Sequence, residues 1–245
     1  MRNIFPSKYF INKILYKIFL NSLFLIIYFY TNKFENIIFE KYDRENLFKI
    51  EEKLLKYNCS LMSQKERLFL NGLIRKFKPK KFLELGVFYG GSSIIILNAL
   101  YNNKNSQLYS IDLLQRKSLG FCVYNYFPNL MSNWKLYSGN IATKFIEEIG
   151  NNIDMAFIDT AHFEPGEILD FLMILPFLKK GALVGFHDID IQINGAGWPN
   201  SRNEWAPYLI FNLIRGQKIL PSGKNILTQG IGFIKLENNQ YILFE

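Results

Sequence analysis

Four short apolar runs in this chain end in side chains able to do chemistry. Phe82 to Leu85 carries Glu84 and leads into Gly86, then Gly90, Gly91, Ser92 and Ser93; Leu108 to Ile111 ends at Asp112. Met155 to Ile158 ends at Asp159, with His162 three residues on, and Ala182 to Phe186 ends at His187 and Asp188. Each pattern suits a different task. A glycine-rich turn entering a helix can hold a small polar or anionic ligand against the helix N-terminus. Gly86 and Gly90 lack the Cβ that would keep the backbone from a ligand, and Ser92 or Ser93 is expected to cap the helix. The carboxylate of Asp112 can accept both hydrogen bonds of a vicinal diol. Asp159 and Asp188, leaving neighbouring strands at one sheet edge, can hold a hard divalent ion through oxygen. Histidine as a residue type ionises near neutrality, which makes His162 a candidate proton acceptor; capping the helix that opens near Pro165 is its bland alternative. The bland alternative for His187 and Asp188 is to satisfy loop backbone.

The surrounding elements can position these groups. Ser63 precedes Glu66 at capping-box spacing, and Leu68, Phe69, Leu73, Ile74 and Phe77 recur at helical intervals until Pro79. Beyond it, strands and helices alternate: strand 82–85, helix 92–102, strand 108–111, a looser segment to Pro128, strand 134–137, helix 143–149, strand 155–158. A helix follows from Pro165 to Pro176, since proline suits a first turn but not an interior. Strand 182–186, a helix over 205–215 and closing strands at 231–236 and 241–244 complete the reading. Such βαβ repetition predicts a mostly parallel sheet covered on both faces, with ligands outside the carboxyl ends of its strands.

The glycine spacing is G-x-x-x-G-G, with an acid two residues before the first glycine, rather than the G-x-G-x-x-G of dinucleotide sites. Glu84-Leu85-Gly86 through Gly90 resembles motif I of the class I S-adenosylmethionine-dependent methyltransferases, over about residues 62–236. The resemblance implies a Rossmann-like fold with a mostly parallel seven-stranded sheet. It also implies that Glu84, Gly86, Gly90 and Ser92 hold the methionine end of S-adenosyl-L-methionine, Asp112 its ribose and Asn140 its adenine, with Asp159 beside them. The order Asp159-x-x-His162 followed by His187-Asp188 resembles the bacterial metal-dependent O-methyltransferases acting on sugars and antibiotics. Carried over, Asp159 and Asp188 are ligands of a divalent metal, Mg²⁺ or Mn²⁺, and His162 is the general base. Asp159 thereby joins the catalytic set. His187 stands where that branch often has an acid or an amide, and becomes the third candidate ligand. The expected acceptor is a small hydroxylated molecule such as a sugar. A cofactor-fold protein without catalysis, serving as a membrane or partner module, is the alternative. A nicotinamide enzyme is disfavoured by the glycine spacing.

Composition bounds the remainder. The net charge is +8, and residues 1–50 carry eight Lys or Arg against four acids, half of the excess. No basic run or nucleic-acid signature accompanies it, which favours a basic anchor near anionic membrane. Residues 9–30 are strongly apolar but short for a span and lack a signal cleavage site. They are expected to pack on a domain or partner, lie on a membrane surface, or cross it. Two cysteines, Cys59 and Cys122, have no metal spacing and favour a reducing compartment. The expected organisation is a helical, membrane-associated extension over residues 1–60 and a methyltransferase domain over 61–245. The expected location is the cytoplasm, peripheral at the inner face of the membrane. The segment Asn194 to Trp205, with Trp198, Arg202 and Glu204, reads either as a lid over an acceptor or as a structural loop.

Overall fold

The computed structural model describes residues 34–36, 41–101, 103, 105–161, 165–190, 206–221 and 230–237. The apolar stretch 9–30, the loop 194–205 and the strand expected at 241–244 lie outside these residues. Among the described residues, no helix is long and apolar enough to cross a membrane.

Helix α1 (Lys41–Lys56) precedes α2 (Gln64–Phe77), whose start has a full capping box. Ser63 Oγ accepts from the Glu66 N–H, and Glu66 Oε2 accepts from the Ser63 N–H at 2.6 Å, so two otherwise orphaned donors are satisfied. The helix stops where Lys78 turns left-handed (φ 49°) before Pro79. It carries Phe69, Leu70, Leu73 and Ile74 into the core. A buried Glu51–Arg67 ion pair joins α1 to α2, with Arg67 Nε 3.0 Å from Glu51 Oε1. Tyr57 stacks on Tyr126 at 3.9 Å between centroids.

The sheet then forms from β2 (Lys81–Leu85), β3 (Gln107–Asp112), β4 (Trp134–Ser138), β5 (Ile153–Ile158), β6 (Leu178–His187), β7 (Gly216–Leu220) and β8 (Ile231–Leu236). Between them lie α3 (Gly91–Leu100), α4 (Phe121–Tyr126), α5 (Ala142–Ile149), α6 (Gly166–Ile174) and α7 (Ala206–Leu213). The strand order is β4-β3-β2-β5-β6-β8-β7, with the short β1 (Phe34–Asn36) added beside β7. β8 runs antiparallel to both neighbours and the other pairs are parallel. The Rossmann-like seven-stranded sheet is therefore present, and β1 lengthens one edge. β7 carries no clear strand pattern in the sequence, because Lys218 interrupts its apolar run. The loose segment before Pro128 contains α4, and a 3₁₀ turn follows over Pro128–Asn133.

Alternation along the strands divides the core into two layers. Phe82, Met155, Phe157 and Phe233 face α2 and α3, while Leu83, Ala156, Ile158 and Ile234 join Ile146, Phe171 and Phe211 from α5, α6 and α7. Residues of β2 are buried on both faces, as a central parallel strand requires. Parity puts Glu84 on the α3 side with Phe82.

Candidate active site

β2 and β5 are neighbours, yet the chain leaves β2 towards β3 and leaves β5 towards β6. That reversal opens a crevice at the carboxyl ends, the usual ligand site of such sheets. Backbone bonds carry the ladder just past the strands: Gly86 N–H to Ile111 O and Asp159 N–H to Leu85 O, both 2.9 Å. The crevice is a cavity of about 500 Å³ whose walls include Gly86, Asp112, Asn140 and Asp159. Four residues expected at the cofactor thus come from the carboxyl ends of four different strands, β2, β3, β4 and β5, to one space.

Glu84 does not face that space. It is 0% exposed. Ser92 Oγ donates to its Oε1 at 2.7 Å, and Ser93 and Ser110 donate to Oε2 at 2.7 and 2.6 Å. Trp134 Nε1 donates in turn to Ser110 Oγ at 2.8 Å. Burial pushes the carboxyl up to about 7, against the three hydroxyls, which favour its charged form. Glu84 therefore ties β2, β3, β4 and the first turn of α3 together. Neither serine caps α3. Its N-cap is Gly90 in the left-handed region (φ 90°), without a side-chain cap, because the hydroxyls are committed to Glu84.

Gly86 has a reason that its sequence context did not reveal. Its φ is +87°, and a Cβ there would fall 1.9 Å from the carbonyl oxygen of Asp159. The close approach is made by the neighbouring strand, whatever the ligand does. Asp112 also works on the loop: its Oδ2 accepts from the N–H groups of Val87 and Phe88 at 3.0 and 3.2 Å, and its Oδ1 from Leu114 N–H at 2.9 Å. The same carboxylate that borders the cavity holds the glycine-rich loop in shape.

Beside the cavity, the register Ile158↔Phe186 brings Asp159 next to His187. His187 Nδ1 is 3.5 Å from Asp159 Oδ2 and 3.2 Å from Asp188 Oδ2, and Asp188 takes a left-handed φ of 52°. One atom from each of the three residues lies within 4.8 Å of the others. Burial alone would lower the imidazole's pKa. The charge of Asp159 and the nearby carboxylates of Asp188 and Glu66 outweigh it and hold the ring well above the usual histidine value. Two carboxylates and an imidazole converging at one sheet edge fit a divalent cation, which would take over the role the ring proton plays here.

Sequence reasoning missed several nearby groups. Glu66 was read only as a cap, yet its Oε1 lies 3.7 Å from His187 Nε2. Thr160 and Asp170 also line the cavity, joined by a 2.6 Å bond from Thr160 Oγ1 to Asp170 Oδ2. Burial pushes the Asp170 carboxyl up, partly opposed by that bond. Their ten-residue separation across a loop and helix gave no local signal. His162 lies outside the described residues, between Ala161 at the cavity wall and Pro165 at the head of α6.

Fold and site define a Rossmann-like methyltransferase architecture, with a crevice at the β2/β5 reversal and the carboxylates of Asp112 and Asp159 at the adjoining ends of β3 and β5. Residues 83–189 match a family model described as a methyltransferase domain, spanning the glycine loop through the His187-Asp188 pair. Over those residues the chain is similar to a methyltransferase domain. Solved structures agree in fold. The O-methyltransferase TomG from Streptomyces achromogenes, in complex with S-adenosylmethionine, is 17% identical with a TM-score of 0.55, covering 79% of this chain and 90% of that one. An O-methyltransferase from Bacillus cereus, in complex with S-adenosylhomocysteine, is 16% identical with a TM-score of 0.55, covering 78% and 89%. A methyltransferase from Geobacter sulfurreducens is 17% identical with a TM-score of 0.52, covering 79% and 89%. No curated relative matches the chain in sequence.

Proposed function

We propose that this protein moves the methyl group of S-adenosylmethionine to a hydroxyl of a small acceptor, a sugar in the first instance. The observation that carries the reading is the continuity of the cofactor crevice with the Asp159–His187–Asp188 cluster through Asp159, which belongs to both. In this reading Gly86, Asp112 and Asn140 contact the cofactor directly. Glu84, Gly90 and Ser92 act on it by shaping the loop and the start of α3. The acceptor oxygen attacks the methyl carbon in line, the carbon–sulfur bond breaks, and sulfur keeps the electron pair as S-adenosylhomocysteine. Orientation supplies much of the rate in such a displacement. The hydroxyl proton passes to His162. Asp159, His187 and Asp188 would hold a divalent cation, and imidazole in the set favours Mn²⁺ over Mg²⁺. Such an ion, when bound, lowers the pKa of an oxygen coordinated to it.

Two solved relatives named as O-methyltransferases, one of them involved in tomaymycin synthesis, support a hydroxyl acceptor. The reading also keeps an extension over residues 1–60, docked through Glu51 on a catalytic domain over 61–245, with residues 9–30 meeting a membrane surface from the cytoplasmic side. The experiment is a methyl-transfer assay with S-adenosylmethionine and a panel of sugars and other small hydroxylated acceptors, before and after chelation and Mn²⁺ add-back. Methylated product with chelator sensitivity is expected. S-adenosylhomocysteine binding without transfer to any hydroxyl on the panel refutes the acceptor class, and full activity in chelator removes the ion.

A further inference from the structure

We infer that Glu66 is the positioning carboxylate of this site, fixing through His187 Nε2 which ring nitrogen is offered to the ion. The inference rests on the metal reading above and deepens it. His187 turns Nδ1 towards Asp159 and Asp188, and Nε2 points the other way into protein. Nε2 is buried and has no hydrogen-bond partner, and a carboxylate oxygen, Glu66 Oε1, lies 3.7 Å from it. An imidazole that offers Nδ1 to a cation must carry its proton on Nε2. A buried N–H needs an acceptor, and a carboxylate there both orients the ring and makes it a better donor to the ion.

The placement of Glu66 is itself built. Its Oε2 is held by the Ser63 N–H at 2.6 Å, which leaves Oε1 directed at the histidine. Gly230, next to the strand that pairs with His187, makes the room: a Cβ there would lie 1.9 Å from Glu66 Oε1. The ring is walled on another side by Phe157, with centroids 6.3 Å apart in an edge contact. One glutamate thus caps α2 with one oxygen and faces the site with the other, linking a helix that precedes the glycine loop to the far end of β6.

The test is Mn²⁺ binding to the purified full chain, read by electron paramagnetic resonance of free against bound ion, without cofactor or acceptor. Glu66→Ala is expected to weaken Mn²⁺ binding about 10–100-fold, the usual cost of losing such a partner. Glu66→Gln keeps the side chain's shape but loses the charge and has one acceptor oxygen for two donors, the Ser63 N–H and His187 Nε2–H, and is expected to weaken Mn²⁺ binding about 3–10-fold. Ser63→Ala is the control: it removes the cap's hydroxyl, lowers the melting temperature and leaves Mn²⁺ affinity unchanged. Unchanged affinity in Glu66→Gln overturns the inference, even if Glu66→Ala fails to fold. Equal weakening in Ser63→Ala overturns it too, by assigning the effect to the cap. Wild type that binds no Mn²⁺ overturns this inference together with the metal reading. Normal wild-type binding with unaffected variants overturns the role of Glu66 alone.

Discussion

The buried carboxyl of Glu84 makes stability depend on pH in a way that one substitution should erase. Its pKa is raised from 4.5 to about 7 by burial. A raised folded pKa means that the folded state holds the proton more tightly, so the contribution is fully present below pH 4.5 and is lost as pH rises through about 7. At 1.36 kcal/mol per unit the shift corresponds to about 3 kcal/mol. Glu84→Gln preserves shape and bonding. Its amide oxygen can accept from Ser93 and Ser110, while its NH₂ donates to Ser92, whose hydroxyl turns to receive it. Glutamine does not titrate. The two proteins should therefore be about equally stable near pH 4.5, with the variant about 3 kcal/mol ahead by pH 8. Urea denaturation of both proteins at matched ionic strength across that range measures the difference, and other titrating groups cancel in it. Curves that stay parallel from pH 4.5 to 8 would refute the reasoning, because the carboxyl would then titrate alike in both states.

Gly86→Ala should fail to fold or melt far below wild type, since the new methyl collides with backbone 1.9 Å away; a soluble variant with a normal melting curve would contradict the packing. His162→Ala should lower turnover about 10²–10⁴-fold with unchanged S-adenosylhomocysteine affinity by calorimetry, and near-normal turnover would remove it as the base. Lys218 of β7 is buried and donates to the Phe211 and Ile214 carbonyls at the end of α7, and burial pulls its pKa from 10.5 to about 7. Its contribution to stability is therefore full above pH 10.5 and is lost as pH falls through about 7. Lys218→Met should melt higher than wild type at pH 7 and lose that advantage towards pH 10 in a thermal series; an advantage independent of pH would speak against a buried titrating amine.

What local sequence determined here is whatever depends on neighbours a few residues apart. The Ser63–Glu66 box, the stop at Lys78 and Pro79, and the alternation from β2 to β6 all follow from periodicities of two and 3.6 and from the geometry of proline. Because parallel strands share a carboxyl edge, the same reading could also bring Asp112, Asp159 and His187-Asp188 to one side of the sheet. Which groups touch there was decided only by tertiary structure. Ser110, 26 residues from Glu84, claims it through strand pairing, so an acid that looked like a ligand became a brace. Gly86 answers to the carbonyl of Asp159, 73 residues on, and Glu66 meets His187 across 121 residues. β7 was illegible because Lys218 interrupts its apolar run, and that lysine is tolerable inside only because two carbonyls at the end of α7 receive it. Side-chain type and spacing state what a residue can do; the sheet's register and the helices packed on it choose which partner it has.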